Sequence, residues 1–193
     1  MAKLNEAAWI NLDRAQLLLL DDHTDGLNIL VQIITAFGAR RFHRCKSNEE
    51  AKEVAAQSEL HLIVINANLK ESNAYEFITW LRQANLQPNS FTPTILVTGH
   101  TQKSNVELAR DCGANSVIAK PVSPNAMLER ILWIAREKRP YVKCATYVGP
   151  DRRFHDTGPP EGMVGRRYND VRVAPQAVSP ETVSDENPER AAG

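Results

Sequence analysis

The chain has 193 residues, 42% hydrophobic and 24% charged, with 23 Lys and Arg balanced by 23 Asp and Glu. That length suits one globular domain plus an extension, and zero net charge excludes a global pull toward nucleic acid or an anionic membrane. Residues 1–16 lack the apolar core of a signal peptide, and no stretch is long and apolar enough to span a bilayer. The three cysteines, Cys45, Cys112 and Cys144, lack metal-site spacing, so free thiols in a reducing cytoplasm are expected.

Two apolar periods alternate along the chain. Ala15 to Leu20 is a nearly unbroken apolar run, which predicts a strand buried on both faces. From Thr24 to Phe37, residues Leu27, Leu30, Val31, Ile33, Ile34 and Phe37 recur at helical spacing, with Gly38 as the stop. Arg40 to Arg44 is a weaker strand. Asn48 to Gln57 reads as a helix capped by Ser47. Leu62 to Asn66 is a second buried strand, and Asn73 to Gln83 a helix with Tyr75, Phe77, Ile78 and Leu81 inward. Thr94 to Thr98 is a strand entered through Pro93, and Lys103 to Asp111 a helix closed near Gly113. Ser116 to Ala119 is the last strand, and Pro124 to Lys138 the last helix.

Repeated strand–helix alternation implies a parallel sheet with helices on both faces. Sites in such folds form beyond the carboxyl ends of the strands. Asp21, Asp22, Asn66, Thr98 and Lys120 all fall at such ends. Singly, an acid there caps the next helix and a lysine before Pro121 is a turn residue. Together they form the kit of a magnesium-dependent phosphoryl-accepting site, with one exception. The strand-end residue Asn66 is an amide, a poor nucleophile that cannot form an acyl phosphate.

After Arg139 the chain turns rich in Pro, Gly and charge and loses apolar periodicity. The expected division is an extension over 1–13, a domain over 14–139 and a largely disordered tail over 140–193. The tail carries paired arginines, Arg152-Arg153 and Arg166-Arg167, beside Phe154 and Tyr168. Paired Arg can fork onto phosphate, so the tail is a candidate anion or nucleotide site. Trp9, Ile10 and Leu12 could form an apolar hook, while Trp80 and Trp133 read as packing residues. The five histidines are scattered; His100 alone lies near the mouth of the strand-end cluster, and no nucleophile–base pair stands out, so the chain is not expected to be an enzyme.

Over roughly residues 13–138 the chain resembles the receiver domain of bacterial two-component response regulators. The matching segments are Leu17-Leu18-Leu19-Leu20-Asp21-Asp22, Leu62-Ile63-Val64-Ile65-Asn66, Ile95-Leu96-Val97-Thr98-Gly99 and Val117-Ile118-Ala119-Lys120-Pro121. The resemblance implies a CheY-like, flavodoxin-like (βα)5 fold with strand order 2-1-3-4-5. It implies that Asp21 and Asp22 match the Mg²⁺-holding acids, Thr98 the phosphoryl-binding hydroxyl and Lys120 the phosphoryl-binding lysine. Asn66 takes the position of the phosphoacceptor Asp, Lys70 that of a usual proline, and Val117 that of an aromatic switch residue. The expectation is a pseudo-receiver with weak Mg²⁺ binding if any, no other cofactor, and Lys120 paired with Asp22. Its expected partners are proteins: a histidine kinase, a phosphotransferase or a downstream regulator, docked on the face of helix 103–111, strand 116–119 and helix 124–138, with a homodimer also open. No DNA-binding domain and no membrane partner are expected, because residues 140–193 hold too little apolar pattern for a helix-turn-helix.

Overall fold

The computed structural model describes residues 9–70, 72–99, 102–137, 139–144, 147–152, 171–173 and 183–184. Its strands are β1 (Trp9–Ile10), β2 (Gln16–Leu20), β3 (Arg41–Cys45), β4 (Leu62–Asn66), β5 (Thr94–Thr98), β6 (Ser116–Ala119), β7 (Tyr141–Cys144), β8 (Tyr147–Pro150), β9 (Val171–Val173) and β10 (Val183–Ser184). Its helices are α1 (Thr24–Ala36), α2 (Asn48–Gln57), α3 (Ala74–Gln83), α4 (Lys103–Cys112) and α5 (Pro124–Arg136).

The leucine run of β2 explains the three-layer architecture. Side chains along a strand point alternately to opposite faces. Leu17 and Leu19 join Val64, Ile95 and Val97 in one core, closed by Leu27, Leu30 and Ile34 of α1 and by Met127 and Ile131 of α5. Leu18 and Leu20 join Ile63, Ile65 and Leu96 in the other, closed by Ala51 of α2, Phe77 and Leu81 of α3 and Ala109 of α4. All four leucines are fully buried, each contributing about 1.5–3 kcal/mol of transfer free energy. The sheet has the order β3-β2-β4-β5-β6 with every pair parallel, which is the expected 2-1-3-4-5 arrangement.

Local signals fix the helix starts. The Ser47 hydroxyl accepts from Glu50 N at 3.2 Å, and Glu50 returns a carboxylate to Lys46 N at 2.7 Å. Ser123 caps α5 through Ala126 N at 3.2 Å, one residue before the proline that opens the helix. Trp80 stacks on Phe77 at 5.9 Å, and Trp133 lies beneath the Arg139 guanidinium at 5.1 Å, so both tryptophans pack as read. The hook reading divides: Leu12 is buried in the first core, whereas Trp9 and Ile10 form β1 and pair with β10.

The largest departure from the sequence reading begins at Tyr141. Residues 141–144 and 147–150 pair as the antiparallel β7–β8 hairpin, joined by β9 in a second sheet of order β8-β7-β9. Tyr141, Val142 and Val148 are buried, so this part of the segment is packed rather than flexible. The cause is a buried cation. Arg82, only 2% exposed at the end of α3, places all five of its N–H groups. Its Nε donates to Gly113 O (3.1 Å), its Nη1 to Ser90 O (3.0 Å) and Thr92 O (2.9 Å), and its Nη2 to Thr94 Oγ1 (3.1 Å) and Asn115 Oδ1 (3.2 Å). The Tyr141 ring covers its guanidinium at 5.2 Å, and the Tyr141 hydroxyl donates to Asn115 Oδ1 at 3.0 Å. Gly113, at φ +94°, both ends α4 and admits the hairpin: a Cβ there would stand 2.7 Å from Val148 O.

Candidate functional site

Four strand ends meet at one edge of the sheet. Asp21 follows β2, and its N–H donates to Cys45 O at 3.1 Å. Asn66 closes β4 opposite Val97, and Thr98 closes β5 opposite Ala119. Lys120 follows β6, its N–H donating to Thr98 O at 2.8 Å. β2 and β4 are the adjacent strands from which the chain winds in opposite directions, so Asp21 and Asn66 flank the topological switch point.

Asp21 is 2% exposed and Asn66 equally so. A buried carboxylate needs donors, and Asp21 Oδ1 has two: His23 N at 2.9 Å and Asn66 Nδ2 at 3.0 Å. The Asn66 amide is held at both ends, with Nδ2 also donating to Asn68 O at 3.1 Å and Oδ1 accepting from Asn68 N at 3.3 Å. Gly26 in the first turn of α1 makes room for the acid, since a Cβ there would collide with Asp21 Oδ2. Neither acid caps α1: His23 occupies the cap position, without a side-chain cap.

Asp22 is held differently from expectation. Its Oδ2 accepts from Lys70 N at 2.6 Å, and its Oδ1 lies 2.6 Å from His23 Nδ1. Among the described residues, the side chain that meets Asp22 is thus His23, and no ion pair links the acid to Lys120. The Lys120 side chain is exposed instead, and the segment after β4 brings the Lys70 amide onto the acid. Burial pushes the Asp22 carboxyl up. The Lys70 amide, the charge and contact of His23 and the Lys70 charge outweigh that and hold it below its ordinary value of 3.8.

Asp21, Asp22 and His23 place a ligand atom each within 4.8 Å of one another. Mg²⁺ takes an octahedral shell of oxygens, anionic where the protein supplies them. Here an N–H donor from Asn66 points at the inner oxygen of Asp21. The donor set therefore does not match a Mg²⁺ shell as arranged.

Residues 17–132 match the family model of the response regulator receiver domain. The chain belongs to the response regulator receiver family. Among curated relatives, a probable cyclic di-GMP phosphodiesterase of Vibrio cholerae is 25% identical over 140 residues, covering 72% of this chain and 31% of that protein. The transcriptional regulatory protein SrrA of Staphylococcus aureus is 25% identical over 121 residues, covering 63% of this chain and 48% of SrrA. The receiver thus spans about half or less of these relatives' length. Solved structures share the fold: chemotaxis protein CheY4 of Vibrio cholerae at TM-score 0.57 and 20% identity, covering 61% of this chain and 96% of that one. A CheY-like receiver from Methanospirillum hungatei matches at TM-score 0.55 and 23% identity, covering 61% and 90%.

The receiver fold gathers Asp21, Asp22, Asn66, Thr98 and Lys120 at one edge, as their sequence positions imply. His100 and the tail residues Arg153, Arg166 and Arg167 lie outside the described residues. Arg152 is described and is engaged internally: Nη1 lies 3.2 Å from Asp111 Oδ1, and the guanidinium stacks over Tyr147 at 3.9 Å. His23 and Asn68 complete the site without having been singled out in the sequence, and Lys70, noted there only for taking the place of a usual proline, joins them. For His23 the signal was available, since it directly follows the acid pair. The hydrogen bonds of Lys70 and Asn68 are made by backbone groups, which residue identity does not encode.

Proposed function

We propose that this receiver works without phosphorylation, as a protein-binding module of two-component or phosphorelay signalling. The observation that supports it most is Asn66 at the acceptor position, donating to Asp21 Oδ1 at 3.0 Å. An aspartate in that place would offer an anionic oxygen to phosphorus. The amide offers a neutral oxygen, already accepting from Asn68 N, and an N–H that hydrogen-bonds the neighbouring acid. Asn66 thereby supplies from within the chain a part of what Mg²⁺ supplies in a working site.

The reading names α4, β6 and α5 as the docking face for a kinase, phosphotransferase or regulator. On α4, Val106 and Leu108 are 45% and 52% exposed, large apolar side chains where a solvated helix face would carry polar ones.

Calorimetric titration with Mg²⁺ tests the site. Wild type is expected to release no heat of site-specific binding, and Asn66→Asp to bind one ion. Tight one-to-one binding by wild type would contradict the reading.

A further inference from the structure

On the α1 side of the strand-end edge lies a cavity of about 450 Å³. Its wall is Ile29 and Leu30 of α1, Val97 of β5, and Pro121 and Val122 beyond β6, with Asp21 and Lys120 at one end. Two features of this cavity have no part in phosphoryl chemistry. Ile29 is 50% exposed on a helix whose other large apolar residues are covered. The wall offers five apolar side chains to two charged ones. The two charges are also unequal in reach. Asp21 is 2% exposed and its Oδ1 already accepts from Asn66 and His23 N. Lys120 is exposed, and among the described residues no carboxylate pairs with its ammonium.

We propose that this cavity binds a small amphipathic carboxylate, with the carboxylate on Lys120 Nζ and an aliphatic body against Ile29, Leu30, Val97, Pro121 and Val122. A mostly apolar cleft of a few hundred Å³ with one orienting polar group is the usual form of a small-ligand site. The available cation selects an anionic head, and with the Asp21 carboxylate in the same wall a monoanion is repelled less than a phosphate dianion. The aliphatic body would cover Ile29. Such a ligand would join α1 to the segment after β6 and bias the receiver through binding rather than through group transfer. The proposal stands apart from phosphorylation independence, because it is read without phosphodonor or metal, and its failure would leave that reading untouched.

The test is a titration of the isotopically labelled full chain with octanoate, followed by amide chemical shifts. Saturable shifts are expected at Gly26, Ile29 and Val122, with octylammonium producing none. Lys120→Met and Lys120→Gln are expected to weaken octanoate about tenfold or more, the scale of one charge-assisted contact, and Ile29→Asp to abolish binding. The same spectra report whether each variant is folded. Shifts that fail to saturate before octanoate forms micelles would overturn the proposal. So would equal affinity for octylammonium, or undiminished octanoate binding in both Lys120 variants.

Discussion

Asn66 and Asp21 form a neutral–anionic pair where a receiver with an aspartate acceptor sets two anions side by side. A second carboxylate in place of the Asn66 amide, with its charge about 4 Å from that of Asp21, would repel it by about 4 kcal/mol at an effective dielectric near 20. Asn66→Asp is therefore expected to lower the melting temperature in chelator and to regain it on adding Mg²⁺, whereas wild type is expected to be indifferent to the ion. Thermal melts with and without Mg²⁺ decide this. The lowered Asp22 pKa has a signed consequence as well. A carboxyl depressed by folding stabilises the native state above its unfolded value, here 3.8, and that stability is lost as pH falls through the lower folded value. Asp22→Asn should flatten the acid limb of stability against pH. An unchanged acid limb would show that His23 and Lys70 N do not hold the acid in solution.

The thiols give a second pH signature. Burial pushes Cys45 up to about 12 and Cys112 up to about 11, from 9.0. Both are protonated at neutral pH, so a disulfide-exchange reagent at pH 8 is expected to modify the half-buried Cys144 first and the other two only on unfolding. Because their folded values are raised, the stability they contribute is full below pH 9 and falls as pH rises toward 11 and 12.

At the scale of elements, the sheet and five helices were legible because their apolar periods are strong. The unbroken run in β2 and the 3.6-residue recurrence in α1 each admit one reading. The helix ends moved by a residue or two: α1 stops at Ala36, and α5 at Arg136. The β7–β8 hairpin was not legible. Its four-residue strands are too short to show a period, and the prolines and glycines around them argue for a loop. What holds it is tertiary: the Arg82 guanidinium, satisfied by three backbone carbonyls from two separate segments and roofed by Tyr141. In sequence, Arg82 is one more charge on an amphipathic helix. Replacing it by Ala would leave buried carbonyls without donors, at about 1–3 kcal/mol each. Arg82→Ala is expected to cost about 3 kcal/mol or more in urea unfolding, with Arg82→Lys recovering little, since one ammonium cannot reproduce the fork. A loss under about 1 kcal/mol would mean that the hairpin is not anchored there.

At the scale of the whole molecule, the site edge and the hairpin lie at opposite ends of the sheet. Asp21, Asn66 and Lys120 stand at the carboxyl ends, while Arg82 meets Thr94 and Asn115 at the amino ends. The hairpin contacts α3 and α4 near Gly113 and leaves Val106 and Leu108 exposed. If docking uses that helix, the Val106→Ala/Leu108→Ala pair should abolish binding to a cognate kinase or regulator, with Asp22→Ala binding normally. The converse pattern would move the interface to the strand-end edge. No helix among the described residues is long and apolar enough to cross a membrane. That Asn66 closes a central strand was plain from the sequence. The hydrogen bonds that tie Asn66 to Asp21 and Asn68 were not, since they depend on how two loops fold over the strand ends.

Intact mass after incubation with Mg²⁺ and acetyl phosphate tests the central claim most directly, on wild type and Asn66→Asp side by side. The account predicts one added phosphoryl group on the variant and none on wild type. Phosphoryl uptake by wild type would contradict it and would direct attention to Asp21 or Asp22 as the acceptor.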